Sequence, residues 1–288
     1  MSVAIEPRWP TLQHAAAHCL ALRDPIEKVA DTRIAFAAFS EGRLPLATTE
    51  SWPVIPDVAA VGRPERPQLV RPRQVASRGL GSDAGRAAFL HAIAHIEFNA
   101  INLAWDAVLR FPGMPERYYA DWASCADDEA RHHLMLIERL ADFGHVYGDF
   151  DAHDGLWEMA RKTAGSCLER MALVPRVLEA RGLDVTPAMI TRLTSIGDSA
   201  TVAILEVILR EEVAHVAAGS RWFRYLCELE GCEPRSTFRA LLKQHARDVL
   251  RGPFNHDARR AAGFDEEEMM VLVESSGSAA TRQRLCSD

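Results

Sequence analysis

Lysine is almost absent from this chain of 288 residues. It occurs only as Lys28, Lys162 and Lys243, and arginine supplies the rest of the 33 basic residues. Acidic residues outnumber them at 40, which gives a formal net charge of −7. This balance gives no support to a broad electrostatic attraction for the phosphates of nucleic acid. A local arginine patch for an anionic substrate is still compatible with the composition.

Long apolar runs and regular cysteine spacings are also missing. No stretch of about 18 apolar residues occurs, so we expect no membrane span. The N-terminal sequence lacks the apolar stretch of a signal peptide. The six cysteines form no C-x-x-C motif and no framework spacing, as expected for reduced thiols in a cytoplasmic protein. The length allows one large core, in one domain or in one domain with an appendage.

The N-terminal third contains two different kinds of sequence. Apolar residues at helical spacing predict a helix over residues 12–40. Residues 44–82 are rich in proline and glycine, which disfavour the interiors of helices and strands. We expect an extended segment that lies on a helical bundle, because it has four apolar side chains to bury. These are Trp52, Val54, Ile55 and Val58.

Two long helices are predicted next, separated by a clear break. Ser82 or Asp83 is a good N-cap for a helix that runs to about Arg110. The break, Phe-Pro-Gly-Met-Pro at 111–115, precedes a helix that runs to about Phe143. The polar residues 144–154 then predict a long crossover between two helical hairpins.

The second half of the chain predicts another hairpin and further helices. A helix should start near Asp154, bend at Pro175 and be interrupted again at 182–187. The remaining predictions are a helix that resumes to about 196, a helix over 198–229, a helix over 236–251, a turn at 252–255, a short helix over 265–274 and a loose tail after Ser275. The domains expected are an N-terminal segment 1–82, a four-helix bundle 83–230 and a C-terminal helical extension 231–288.

One ligand-like pattern occurs twice along the chain. A lone glutamate is followed 32 or 33 residues later by Glu-x-x-His, and the second copy lies 82 to 83 residues after the first. Random placement of 22 Glu and 11 His in 288 residues would itself give about 0.8 Glu-x-x-His pairs, so the matched offsets carry the argument. The copies are Glu97, Glu129 and His132, and then Glu179, Glu212 and His215.

The repeated pattern predicts a metal centre. Glu and His three residues apart on a helix point to the same side. Two such pairs plus two glutamates are the ligands of a carboxylate-bridged dinuclear site in a four-helix bundle. The neighbours of Glu97, Glu129 and Glu212 are apolar, so these carboxylates should be buried and must be paired, protonated or metal-bound. A solvated helix face or an ion pair with arginine is the alternative interpretation.

Three glutamates compete for the lone position of the second copy. A turn at 182–186 would place Glu158 level with Glu212, whereas a turn at 197–198 favours Glu179 and repeats the spacing of the first copy. Glu169 is the third candidate, although Lys162 nearby indicates a solvated face.

These motifs in combination resemble the ferritin-like superfamily, and more narrowly a bacterial ferritin-like family of unassigned function. The motifs that carry the resemblance are His95-Ile-Glu97, Asp128-Glu-Ala-Arg-His132, Gly155-Leu-Trp-Glu158, Glu179-Ala-Arg-Gly-Leu-Asp184 and Gly252-Pro-Phe-Asn255 with Ala258-Arg259. The resemblance covers about residues 70–262. It implies an all-α, ferritin-like four-helix bundle with a long crossover, preceded by an N-terminal helix and extended segment and followed by C-terminal helices.

A more distant resemblance is to the di-iron tRNA hydroxylase that acts on a hypermodified adenosine. In that family the glutamate of a Glu-Ala-Arg-Ser stretch is a metal ligand, which supports Glu179. This chain has Gly182 in place of the serine and a long N-terminal segment, so the tRNA substrate does not carry over.

The resemblance to carboxylate-bridged di-iron proteins implies a role for each ligand. Glu129 and Glu212 would bridge two metal ions, Glu97 and Glu179 would be terminal ligands, and His132 and His215 would each bind one ion. Oxygen and imidazole ligands suit two iron ions, with manganese as the alternative. No separate catalytic residue is assigned. Candidates to orient the ligand imidazoles are His91, His95, Asp128, Arg176 and Arg181.

The expected function is activation of dioxygen to oxidise or hydroxylate a substrate. A small molecule or a modified nucleoside would be the substrate, a redox partner would supply electrons, and the chain could form a homodimer without binding a membrane. The competing hypotheses are a ferroxidase or peroxide-handling protein without an organic substrate, and a helical scaffold that binds no metal.

Overall fold

The computed structural model describes residues 8–76, 78–246 and 250–285. These residues are helical apart from loops, two 3-10 turns and an isolated parallel β-bridge between Leu69 and Ala152. They form two compact units, residues 1–161 and 162–288. The all-α class is thus confirmed for the described residues. The ferritin-like bundle and the division at 1–82, 83–230 and 231–288 stay predictions.

None of the described helices is both long enough and apolar enough to cross a lipid bilayer.

The described part of the first unit contains five helices, and the first three begin after residues whose side chains cap them, Thr11, Asp24 and Ser82. The five helices are α1 Leu12–Ala21, α2 Pro25–Ser40, α3 Asp83–Arg110, α4 Glu116–Ala141 and α5 Gly155–Lys162. The helix predicted over 12–40 is therefore two helices. The reason is a strong start signal: Asp24 accepts hydrogen bonds from the N–H groups of Ile26 and Glu27, and Pro25 occupies the first helical position.

A buried lysine joins α2 to α1 and α3. Lys28 Nζ donates to the carbonyl of Cys19 at 2.7 Å and to Asn102 Oδ1 at 2.6 Å. Burial lowers the pKa of Lys28 to about 7. The carbonyl lies in the last turn of α1, where helix carbonyls lack a partner within the helix. Lys28 is thus a structural link between three helices.

The hairpin of α3 and α4 forms as predicted. Ser82 Oγ accepts from the N–H of Gly85 and caps α3. Gly113, with φ of 82°, lies in the turn between the two helices, a conformation that favours glycine. The hairpin carries the first copy of the ligand pattern.

The proline-rich segment lies against the helices of the first unit, as predicted. Trp52 Nε1 donates to the carbonyl of Leu109 at 2.9 Å, and Trp157 Nε1 donates to the carbonyl of Val58 at 2.9 Å. The expectation that Val54 is buried is wrong, because its side chain is 90% exposed. The indole N–H groups, rather than an apolar stripe, hold this segment.

The helix predicted to start near Asp154 is divided, because α5 ends at Lys162 and the next helix begins at Cys167. The second unit contains that next helix and those that follow it. Its elements are α6 Cys167–Leu173, a π-helical turn Val174–Glu179, α7 Ala180–Ser195, α8 Ser199–Glu230, α9 Pro234–His245, α10 His256–Ala261 and α11 Glu266–Leu285. Helix α9 ends before the predicted residue 251, although residues 247–249 lie outside the described part. The loose tail predicted after Ser275 is wrong as far as Leu285, and residues 286–288 lie outside the described part.

The interruption predicted at 182–187 is also wrong. Pro187 lies inside α7, where its ring nitrogen cannot donate to the carbonyl of Leu183. Asn255 Nδ2 donates to that carbonyl at 3.1 Å instead. A side chain about 70 residues away thus supplies the missing donor, and the turn of the hairpin is at Gly197, with φ of 77°.

A close approach at Gly219 fixes the register of this second hairpin. A Cβ on Gly219 of α8 would lie 2.4 Å from Cγ of Pro175 in the π-helical turn. Pro175 precedes Gly197 by 22 residues and Gly219 follows it by 22. Residues at equal separation from the turn of an antiparallel hairpin lie at about the same height.

Gly219→Ala is expected to destabilise the protein by about 1–3 kcal/mol, because the new methyl group must displace the stiff ring of Pro175. Gly182→Ala in α7 is the matched control, since a Cβ there meets nothing within 4 Å. That variant should gain about 0.5–1 kcal/mol from the better helix propensity of alanine. Urea unfolding of both variants measures the two effects. Equal effects of the two substitutions would contradict the close approach.

Candidate metal centre

The first hairpin brings three predicted ligands together. Glu97 on α3 precedes Gly113 by 16 residues, and Glu129 on α4 follows it by 16, so their heights match. His132 Nδ1 lies 3.2 Å from Glu97 Oε2 and 3.4 Å from Glu129 Oε2. One ligand atom of each residue lies within 4.8 Å of the others. We call Glu97, Glu129 and His132 the first ligand group.

Burial gives this group unusual acid–base properties. All three side chains are buried, and His132 is 0% exposed. Burial and then the charge of Glu129 raise the pKa of Glu97. Burial would lower the pKa of His132, but its hydrogen bonds to Glu129 and Glu97 outweigh burial and raise it. The raised pKa values mean that the group binds protons readily. A divalent cation could bind in place of these protons.

The second hairpin contains the second Glu-x-x-His pair. Glu212 Oε1 and His215 Nδ1, both on α8, are 3.5 Å apart and buried. Glu212 Oε2 is buried without a hydrogen-bond partner among the described residues. A buried carboxylate oxygen of this kind costs free energy unless a cation or a donor reaches it. We call Glu179, Glu212 and His215 the second ligand group.

The register of the second hairpin favours Glu179 as the third member. Glu179 precedes Gly197 by 18 residues and His215 follows it by 18, so the two lie at about the same height. Glu179 is partly buried and ends the π-helical turn. Isolated π-helical turns are rare and occur frequently at functional sites.

The two competing glutamates lie elsewhere. Glu158 is an exposed residue of α5 in the first unit. Glu169 lies in the first turn of α6, where its N–H donates to the capping Ser166 Oγ at 3.2 Å. Glu169 precedes Glu179 by 10 residues, which is almost three helical turns. Within the second unit, Glu169 does not match the height of Glu212.

The residues expected to orient the ligand imidazoles make other contacts. Arg176 pairs with Glu268, and Arg181 donates to the carbonyl of Arg251 at 2.5 Å. Asp128 pairs with Arg131. The two histidines hydrogen-bond to residues of the crossover segment 144–154. His91 Nε2 accepts from the N–H of Gly148, and His95 Nδ1 lies 2.8 Å from Tyr147 Oη.

Tyr147 is a member of the site region that the sequence reasoning missed. Its ring lies 5.3 Å from that of His91 and 5.0 Å from that of His133, and His133 Nδ1 lies 2.8 Å from the carbonyl of Ala94. His133, which follows the predicted ligand His132, is thus a core residue. The ring of Tyr147 is partly buried. A tyrosine in a polar crossover segment belongs to no periodic pattern, so the sequence offers no signal for its contacts with these histidines.

Comparison with known proteins places the chain in a family. Residues 21–270, which include all six predicted ligands, match the family described as "Protein of unknown function (DUF455)". The chain belongs to the DUF455 family. It is also 43% identical over 240 residues to an uncharacterized protein of Haemophilus influenzae (strain ATCC 51907 / DSM 11121 / KW20 / Rd). That match covers 81% of this chain and 83% of the relative. No solved structure matches the chain.

The DUF455 assignment identifies the family of this chain and adds no activity. Membership agrees with a family of unassigned function, as the sequence motifs indicate. The ferritin-like character belongs to the proposal below.

Glu97→Gln is expected to stabilise the metal-free protein at pH 7. Because folding raises the pKa of Glu97, its carboxyl group costs stability above its usual value of 4.5, and the cost grows as the pH rises toward the folded value. An amide escapes this cost, which is on the order of 1–3 kcal/mol at pH 7, and the gain should shrink near pH 5. Urea unfolding with a chelator present measures the gain at both pH values.

The exposed residue Glu206 of α8 provides the control for this comparison. Glu206→Gln should change the free energy of unfolding by less than about 0.5 kcal/mol at either pH. A gain from Glu97→Gln that is equal at pH 5 and pH 7 would contradict the raised pKa.

Proposed function

We propose that this chain is a carboxylate-bridged dinuclear metal protein. The first and second ligand groups would hold two iron ions, with manganese as the alternative. The observation that supports the proposal most is the burial of a carboxylate–imidazole pair in each of two helical hairpins, at repeated sequence positions. The distances from His132 to Glu97 and Glu129, the distance from His215 to Glu212 and the buried oxygen of Glu212 fit a cation. The ferritin-like bundle is part of the same proposal.

Ion pairing with arginine explains these carboxylates less well. The buried arginines of the second unit already have partners: Arg176 pairs with Glu268, and Arg259 pairs with Asp184 at 2.7 Å. In the first ligand group two carboxylates share His132. A single imidazole carries at most one positive charge and cannot neutralise two carboxylates. A metal ion could supply the remaining positive charge.

The surroundings of the first ligand group favour a cation further. Burial lowers the pKa of His91 and His133 to about 4 and that of His95 to about 3. These three imidazoles are therefore neutral at pH 7. They add aromatic, water-excluding surface beside the group without adding charge that would repel a metal ion.

The ligand roles are those that the resemblance to carboxylate-bridged di-iron proteins implies. Glu129 and Glu212 would bridge, Glu97 and Glu179 would be terminal ligands, and each imidazole would bind one ion. Carboxylate and imidazole donors without thiolate suit iron or manganese. When bound, such a pair of ions supplies the redox chemistry for oxidation or hydroxylation of a substrate by dioxygen. The proposed partners are a redox protein that supplies electrons and a small-molecule or modified-nucleoside substrate.

Metal analysis of protein purified without chelator tests the proposal. Two ions per chain are expected, and magnetic coupling between them should appear in Mössbauer or electron paramagnetic resonance spectra. His132→Ala and His215→Ala should each lose at least one ion, because each removes one imidazole ligand. His256→Ala, at an exposed position, should retain both.

Zero or one ion per chain, or the same metal content in all three variants, would contradict the dinuclear centre. Turnover separates the two functional hypotheses that remain if the ions are present. An oxygenase consumes dioxygen on reduction only when substrate is present. A ferroxidase or peroxide-handling protein turns over with Fe(II) and dioxygen or peroxide alone.

A further inference from the structure

We propose that Arg259 of α10 is a positioning residue for Glu179. This inference rests on the proposed metal centre, in which Glu179 is a ligand. Arg259 would not touch the metal ion. It would act through the backbone of the π-helical turn Val174–Glu179, which ends at Glu179.

The guanidinium of Arg259 contacts the backbone on both sides of Glu179. Its Nη1 donates to the carbonyl of Arg176, and its Nη2 donates to the carbonyl of Ala180, each at 3.4 Å. Arg176 lies three residues before Glu179 and Ala180 directly follows it. One rigid, planar group thus holds the two carbonyls that flank the proposed ligand.

The π-helical turn makes the direction of Glu179 depend on such support. A π-helical turn places one extra residue within a helix, and each residue turns a helix by about 100°. If the turn relaxed to α-helix, the side chains on one side of it would rotate by about that angle relative to the other. The Glu179 carboxylate would then change direction relative to α8, which carries Glu212 and His215.

Arg259 is itself held in one orientation. Its Nε and Nη2 donate to the two oxygens of Asp184 at 2.9 and 2.7 Å. The rings of Phe254 and Phe264 lie 5.1 Å from its guanidinium carbon, and the residue is 1% exposed. A bidentate pair excluded from water fixes the guanidinium plane. The carbonyls of Arg176 and Ala180 therefore accept from a guanidinium group that is already held in position.

A neighbouring contact offers a matched control. Asn255 caps α10 by accepting from the N–H of Ala258 at 3.1 Å, and its Nδ2 donates to the carbonyl of Leu183. Asn255→Ala would weaken the same short helix and its contact with α7. It would leave the contacts of Arg259 with Arg176 and Ala180 in place.

Arg259→Lys is the sharpest test variant. A lysine keeps the positive charge beside Asp184, so the buried carboxylate retains a partner, but a single ammonium group cannot also reach both carbonyls. Two measurements are made on the full chain. The first is titration of the metal-free protein with Co(II), followed by its absorption spectrum. The second is hydrogen–deuterium exchange of the metal-free protein over residues 176–184.

In Arg259→Lys the second equivalent of Co(II) should bind at least about 10-fold more weakly than in the wild type, with a changed spectrum, while the first equivalent is unaffected. Exchange over residues 176–184 should accelerate. Asn255→Ala should bind both equivalents as the wild type does. Unchanged binding in Arg259→Lys would overturn the inference, whether or not exchange accelerates.

Equal weakening in Asn255→Ala would also overturn it, because general loss of α10 would then be the cause. Failure of the proposed function looks different. In that case the wild type itself would not bind two equivalents of Co(II).

Discussion

Burial of carboxylates inside helical hairpins is the constraint on which the rest of this structure depends. Each buried acid requires positive charge or hydrogen-bond donors, because water cannot solvate it. The second unit meets this requirement at Asp184 with Arg259 and at Glu268 with Arg176. In the first ligand group two glutamates share the single imidazole of His132. This difference separates structural ion pairs from a candidate metal site in the same chain.

The C-terminal extension acquires a structural role from the same constraint. Helix α10 supplies Arg259 to the π-helical turn and Asn255 to the carbonyl that Pro187 leaves without a donor. The π-helical turn and Pro187 both lie in the helical arm of the second hairpin that carries Glu179. An irregular helix can place a ligand side chain where a regular one would not, but its displaced carbonyls need outside donors. Residues of the extension therefore support the helical segment that carries Glu179.

Much of the helical pattern was predictable because its signals are local. Ser82, the break at 111–115 and the start of α8 are caps and turns that any chain with these residues would form. The failures were non-local. Pro187 predicts an interruption of the helix, but a remote side chain donates to the carbonyl that the proline leaves without a donor. The apolar side chain of Val54 predicts burial, but this residue is exposed while the indole of Trp52 hydrogen-bonds to α3. The donor near Pro187 is Asn255 and the acceptor of the Trp52 indole is the carbonyl of Leu109, and both are remote in the chain.

The sequence by itself predicted six ligands: five follow from helix periodicity and chain counting, and the repeat spacing and the resemblance favoured Glu179 over Glu158 and Glu169. It also determined the first hairpin, because its turn lies midway between Glu97 and Glu129. Only the tertiary structure decided the height of the second hairpin. In the structure the turn is at Gly197, Gly219 packs against Pro175, and Glu179 lies about level with His215. That choice depends on packing between side chains far apart in the chain, and packing between remote residues leaves no periodic trace in a sequence.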